Sequence, residues 1–253
     1  MIEITNLTKR FTGGRLIHQG INLSLPAGKM TVIIGKSGEG KSLLLKQIVG
    51  LIKPTSGQIL INQTDIIQAN STERTAVLRK CGYVFQFAAL LDSLDIFQNI
   101  GITLLEVGKT RAEVLPLVKQ VLKSVNLPEH VLDKYPSELS GGMLKRAGLA
   151  RTLLTNPEII FYDEPTSGLD PITTRIIHEL MASLQQQHQL TSVVISHDLD
   201  IFNYADYVVL LAHGRVQFFG EAKTIWQSDN PYIYQFIRGL TAGPLQNDVS
   251  QTA

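Results

Sequence analysis

The sequence predicts an α/β protein: a mainly parallel sheet covered by helices, with antiparallel strands at its start and a helical insertion in its middle. Three observations predict it. A glycine-rich stretch, GKSGEGKS at 35–42, lies between an apolar, β-branched run at 30–34 and a helix-patterned run at 43–49. Strand-like and helix-like segments alternate between residues 158 and 211. Between these regions, residues 87–155 lose the strand signal and read as helices.

Residues 2–7, 14–17 and 21–25 carry the apolar and turn pattern of antiparallel strands, and Pro26-Ala-Gly28 ends the run. After the glycine-rich loop, residues 57–61 form another strand, 62–65 turn the chain, 71–80 read as a short helix and 82–86 as a strand. In the helical stretch Val114, Leu117, Val118, Val121, Leu122 and Val125 recur at helical spacing, opposite Lys119 and Lys123, and Pro128 and Pro136 punctuate turns. Then come a strand at 158–162, a helix at 172–187, a strand at 192–196, a short helix at 199–204 and a strand at 207–211. His213-Gly214 turns a hairpin into 215–219. Strands alternating with helices require a mainly parallel sheet covered on its faces.

The loop carries the chemistry. G-x-x-x-x-G-K-[ST] between a strand and a helix exposes successive backbone N–H groups at a helix N-terminus, a site for anionic phosphate. Lys41 is expected to reach the β- and γ-phosphates of a nucleotide and the Ser42 hydroxyl to ligate Mg²⁺. The apolar strand before Asp163 and Glu164 places two carboxylates at a sheet edge, Asp163 for Mg²⁺ through water and Glu164 to polarise an attacking water. Leu139-Ser-Gly-Gly-Met143 puts Ser140 as N-cap of a helix over 143–154, with two glycines leaving N–H groups uncovered for a second anion contact.

The ordered set resembles the ATP-binding cassette (ABC) ATPases over residues 1–225. GKSGEGKS matches the Walker A loop and Gln86 the Q-loop. LSGGM matches the signature LSGGQ, IIFYDE the Walker B strand, Ser167-Gly-Leu-Asp170 the D-loop, and His197 the switch histidine. Met143 in place of the usual glutamine is the departure, with Ser140, Gly141 and Gly142 intact.

The resemblance implies a P-loop NTPase (RecA-like) core with an antiparallel β subdomain and an inserted α-helical subdomain. It implies catalytic roles for Glu164, His197, Lys41 and Gln86, and metal contacts from Ser42, Gln86 and Asp163. ATP contacts are implied for Phe11, which would stack on adenine, for Gly35, Lys36, Ser37, Gly38, Glu39, Gly40, Lys41, Ser42 and Leu43, and for Ser140, Gly141, Gly142 and Asp170. It further implies a head-to-tail homodimer enclosing two ATP molecules, and a separate integral-membrane permease docking beside Gln86. The expected boundaries are a nucleotide-binding core over 1–86 and 156–225, a helical signature subdomain over 87–155, and a helical tail over 226–253.

A narrower resemblance lies in Gln86-Phe-Ala-Ala-Leu-Leu-Asp-Ser-Leu-Asp-Ile-Phe-Gln-Asn99, in the methionine and the basic pair Lys145-Arg146 of the signature region, and in the ending from Gln235 to Pro244. These are similar to Mla-type (maintenance of lipid asymmetry) ATPases, which serve bacterial phospholipid transport beside an MCE-domain lipid-binding protein. That implies a peripheral location on the cytoplasmic face of the inner membrane. An amino acid importer and a non-transport regulator or assembly ATPase stay open as alternatives.

In the tail, Tyr232, Ile233, Phe236, Ile237 and Leu240 recur at helical spacing, a stripe that either packs on its own domain or reaches a partner subunit. The polar residues 244–253 are expected to fray.

Composition agrees with a soluble core and gives no general attraction to nucleic acid. Of 253 residues, 44% are hydrophobic and 18% charged, and the net charge is +1. Cys81 is the single cysteine, so no internal disulfide forms and a reducing compartment is the simpler expectation. The start lacks a secretory pattern. The longest apolar stretch, 90–107, is broken by Asp92, Asp95, Gln98, Asn99 and Glu106, so no membrane span is expected.

Overall fold

The computed structural model describes residues 1–246. Its strands are β1 (Ile2–Arg10), β2 (Leu16–Leu25), β3 (Met30–Ile34), β4 (Ser56–Ile61), β5 (Thr64–Asp65), β6 (Cys81–Val84), β7 (Ile159–Asp163), β8 (Thr191–Ile195), β9 (Tyr207–Ala212) and β10 (Arg215–Glu221). Its α-helices are α1 (Lys41–Ile48), α2 (Ser71–Leu78), α3 (Ile96–Glu106), α4 (Arg111–Ser124), α5 (Gly141–Leu153), α6 (Pro171–His188) and α7 (Pro231–Ile237). The chain divides into two compact units, Met1–Arg74 with the chain from Ile195 onward, and Thr75–Val194.

In the first unit an antiparallel sheet runs β2-β1-β4-β5. The two strands expected at 14–17 and 21–25 are one strand. Gly20, at φ 69°, lies where the β1–β2 register shifts, so it bends the strand without ending it. β9 pairs parallel with β3 and antiparallel with β10. Every residue of β3 is buried, as its unbroken β-branched run predicts, and Leu44, Leu45 and Ile48 of α1 are also fully buried. This packing sets a rigid strand and a rigid helix at either side of residues 35–40.

The tail departs from expectation in two places. α7 ends at Ile237, so Leu240 falls outside the helix and is exposed, while Ile233 and Ile237 are buried in their own unit. Beyond the helix the chain folds back. Gln235, itself buried, donates from Nε2 to Leu240 O at 3.1 Å and accepts from Leu245 N at 2.7 Å. Leu245 is only 3% exposed, which corrects the expectation of fraying from residue 244; residues 247–253 lie outside the described residues.

In the second unit β6 pairs parallel with β7, and α3, α4 and α5 pack on one another. Reciprocal side-chain and backbone bonds cap α3 through Asp95 and Gln98, and α4 through Thr110 and Glu113. Val114, Val118, Leu122 and Val125 are fully buried, whereas Leu117 is exposed, so the stripe read from the sequence is narrower than its pattern. The expected helix over 143–154 starts two residues earlier, directly after Ser140; in the first unit, the short helix expected at 199–204 is a 3₁₀ turn over Leu199–Asn203. Burial pushes the Cys81 thiol up to about 12, with the Glu158 charge adding to the effect, so it behaves as an inert thiol. Among the described residues no helix is long and apolar enough to cross a membrane.

Candidate nucleotide site

The phosphate loop belongs to the first unit. Gly40 stands at the N-cap of α1 with φ 88°, and no side chain caps the helix. The first-turn N–H groups are therefore left to the loop's own geometry, the condition under which a helix N-terminus receives an anion. Lys41 is 5% exposed, and its ammonium donates to Gly35 O at 2.7 Å and Lys36 O at 2.9 Å. Folding thus brings the cation back over the loop. Ser42 and Leu43 follow in the first turn of α1, while Lys36, Ser37 and Gly38 are exposed.

His18 of β2 holds the loop from beneath. Its Nδ1 lies 2.7 Å from Gln47 Oε1 and its Nε2 lies 3.1 Å from Gly40 O. Burial lowers the His18 pKa, outweighing these hydrogen bonds, so the ring is neutral and carries a single N–H. A carbonyl can only accept, so Nε2–H donates to Gly40 O. Nδ1 then accepts from the Gln47 amide turned so that its Nε2, otherwise buried without a partner, faces the ring. Glycine is required at position 40 on two grounds. A Cβ there would stand 2.6 Å from Ile17 Cγ2 and 2.7 Å from His18 Nε2, and φ lies in the left-handed region.

The β9–β10 turn and the tail meet the loop's outer side. His213 N donates to Glu39 Oε2 at 2.7 Å, Lys36 Nζ donates to Leu245 O at 3.0 Å, and His213 Nε2 donates to Pro244 O at 2.8 Å. Phe11, just past β1, is 43% exposed with the Lys9 ammonium 4.9 Å from its ring centre. Its ring is an open face rather than a core residue. His197 is exposed in the turn after Ser196, a turn fixed by Asp198 N donating to Ser196 Oγ at 3.0 Å.

The second unit holds the carboxylates. Asp163 ends β7 and is 7% exposed; Tyr83 of β6 donates its hydroxyl to Asp163 Oδ2 at 2.9 Å. Burial first, then the Asp163 charge, raises the Tyr83 pKa, which keeps the phenol a donor. Glu164 adopts φ 50°, a left-handed conformation that a non-glycine residue holds only at a cost of about 1–3 kcal/mol. That turn directs its side chain to Gln86, whose Nε2 donates to Glu164 Oε2 at 3.1 Å and Ser167 Oγ at 3.2 Å. Gln86 Oε1 is then the amide's acceptor end.

Ser140 caps α5, its Oγ accepting from Met143 N at 3.4 Å. Gly141 is exposed beside this cap, and a Cβ on Gly142 would lie 2.6 Å from Thr173 Cγ2, so this helix start can approach α6 only without a side chain there. Asp170 caps α6, accepting from the N–H groups of Ile172 and Thr173, each at 3.0 Å, and from the Thr173 hydroxyl at 2.5 Å. Those bonds, led by the Thr173 hydroxyl, lower its pKa.

The sequence-predicted residues thus fall into two groups: Phe11, the residues from Gly35 to Leu43 and His197 in the first unit, and Gln86, Ser140, Gly141, Gly142, Asp163, Glu164 and Asp170 in the second. The sequence reading missed His18 and Gln47 under the loop and Tyr83 on Asp163. Each acts across a large sequence separation, His18 and Gln47 by 29 positions and Tyr83 and Asp163 by 80, so no local spacing marks them.

Ser42 in the first unit, and Asp163 and Gln86 in the second, each carry a hard oxygen donor of the kind Mg²⁺ prefers, the Gln86 amide turning its nitrogen to Glu164 and Ser167.

Comparison with known proteins agrees with this assembly of parts. The sequence pattern of the ABC transporter family matches residues 18–167. The "Probable ribonucleotide transport ATP-binding protein mkl" of Mycobacterium leprae is 37% identical over 246 residues, 96% of this chain and 70% of its own. The "Intermembrane phospholipid transport system ATP-binding protein MlaF" of Haemophilus influenzae is 36% identical over 248 residues, 97% of this chain and 93% of its own. A dimeric ATP-binding cassette in a post-hydrolysis state, bound to ADP and Pi, matches with a TM-score of 0.80 at 30% identity, covering 88% of this chain and 99% of that one. With an uncapped phosphate loop, a capped signature helix and a Gln86–Glu164 pair on an α/β P-loop fold, the chain belongs to the ABC transporter family as an ATP-binding, ATP-hydrolysing subunit.

Proposed function

We propose that this ATPase powers a separate membrane permease that moves phospholipid between bacterial membranes. The observation that carries the reading is the span of the phospholipid-transport relative, which matches nearly end to end with the tail included, whereas the ribonucleotide-named relative extends well beyond this chain. The subunit sits peripherally on the cytoplasmic face of the inner membrane, with the permease and an MCE-domain lipid-binding protein as partners.

Two copies pair head to tail, a reading supported by the dimeric state of the similar cassette. Each ATP lies on Gly35 to Leu43 of one copy, with its adenine on Phe11, and under Ser140, Gly141 and Gly142 of the other. Asp170 follows the turn that faces the partner site. Lys41 and His197 meet the γ-phosphate. Glu164 takes the proton of the attacking water, its carboxylate oriented by the hydrogen bond from the Gln86 amide. Mg²⁺, held by Ser42, Asp163 and Gln86, neutralises phosphate charge when bound.

Purification of the tagged chain from its native membrane tests the reading. A permease and an MCE-domain protein should copurify, and the reconstituted complex should move labelled phospholipid between vesicles in an ATP-dependent manner. An amino acid permease, or soluble assembly factors, in place of those partners would overturn it.

A further inference from the structure

The turn after Gln86 is held in an unusual way. Ala88 and Ala89 both adopt left-handed backbone, φ 58° and 50°, although neither is glycine. Two such residues in succession need outside support, at about 1–3 kcal/mol each. The signature helix α5 supplies it from one face. Lys145 donates its ammonium to Gln86 O, and Arg151 donates to Ala88 O at 2.8 Å and Ala89 O at 2.6 Å. Between them Gly148 lets the turn approach, since a Cβ there would stand 3.1 Å from Ala88 O and 3.2 Å from Ala88 Cβ. Lys145, Gly148 and Arg151 are spaced three apart, so they share one side of the helix.

The side chain of the clamped residue does different work from its backbone. While Gln86 O is gripped by Lys145, Gln86 Nε2 reaches Glu164 and Ser167. Lys145 also feels the Glu164 charge, which opposes the lowering of its own pKa by burial.

We propose that Lys145 is a positioning residue for ATP hydrolysis: by fixing the Gln86 carbonyl, it sets the reach of the Gln86 amide to Glu164 and ties that contact to the signature helix. The inference rests on the water-activating role assigned above to Glu164. Its consequence is mechanical. A shift of α5, whose start receives the partner subunit's nucleotide, carries the Gln86 turn with it and so makes or breaks the contact to Glu164.

The test uses the full chain, with ATP affinity and turnover measured separately. Lys145→Met should lower kcat about tenfold, the loss of one charge-assisted hydrogen bond, while ATP affinity stays within about twofold. Lys145→Arg should recover most of the rate. Because the residue acts through Gln86, the double variant Gln86→Ala/Lys145→Met should be no slower than Gln86→Ala alone. If Lys145→Met fails to fold, Lys145→Gln, which retains a donor and the stem's polarity, is measured in its place, in the same cycle with Gln86→Ala. A Lys145 variant within twofold of wild type, or a double variant whose loss is the product of the single losses, would overturn the proposal. Glu164→Gln separates the two ideas. If it abolishes turnover while Lys145→Met stays within twofold of wild type, only the Lys145 assignment fails; if it turns over normally, the Glu164 role fails and this inference with it.

Discussion

The phosphate loop and the Gln86 turn are both tight, functional stretches of backbone, and they are held by opposite means. The loop is shaped from within. Gly40 takes the left-handed conformation, a buried histidine packs where any Cβ would go, and Lys41 folds back onto the loop's own carbonyls. The Gln86 turn lacks glycine at its left-handed positions, and long cations on a neighbouring helix hold it instead. A receptor for a fixed phosphate is best pre-formed, whereas a residue that must respond to a second subunit is best held by a movable element.

The largest effect is expected where the responsive side acts on chemistry. Glu164→Gln keeps the shape of the side chain and its contact with Gln86 but removes the base. ATP turnover should fall by about 10²–10⁴-fold while ATP remains bound and the closed dimer accumulates, read by phosphate release and sedimentation. Turnover near wild type would remove Glu164 from the mechanism and leave the Gln86 turn with nothing to govern.

Gly40→Ala tests the pre-formed side. The added methyl meets Ile17 and His18 on a backbone that disfavours it. The strain should cost about 2 kcal/mol or more, which lowers Tm by roughly 4–8 °C in a chain of this size. ATP affinity should fall as well. A stable Gly40→Ala variant with normal affinity would mean that the loop tolerates rearrangement and is no more rigid than the Gln86 turn.

The same contrast explains what could be read from the sequence. The α/β alternation, the phosphate loop, the Ser140 cap and the carboxylates ending β7 were legible because glycine, cap and strand patterns are local signals. The support of the Gln86 turn was not. Lys145, Arg151, Tyr83 and His18 work through carbonyls or carboxylates far away in sequence, and a basic residue on a helix ordinarily signals only a solvated face. The tail was misjudged for the same reason: a polar segment looked free, but Gln235, buried on α7, captures both Leu240 O and Leu245 N.

That tail gives a smaller effect on the pre-formed side. Truncation after Gly239 removes buried Leu245 and the carbonyls that accept from Lys36 and His213. Loss of one buried leucine should cost about 1–2 kcal/mol, a Tm fall of roughly 2–8 °C. ATP affinity should drop by about two- to fivefold in a calorimetric titration. Unchanged affinity would show that His18 and Gly40 alone shape the loop and that the tail merely covers it.

The smallest effect comes from His18 and depends on pH. Burial depresses its pKa in the folded chain below the ordinary value of 6.5. As pH falls through 6.5, the unfolded chain gains a proton that the folded chain refuses, so stability declines from there down to the lowered folded pKa. Above 6.5 both states are neutral at this position and the contribution is constant. Protonation would also reverse the Gln47 contact, since Nδ1–H can only donate and the amide must turn its oxygen to the ring, while Nε2–H still donates to Gly40 O. Melting curves at about pH 7.5 and 5.5 should show a steeper loss for wild type than for His18→Gln, with the difference confined to that window. Equal pH slopes in the two proteins would mean that the loop is held by its glycines and Lys41 without help from the ring.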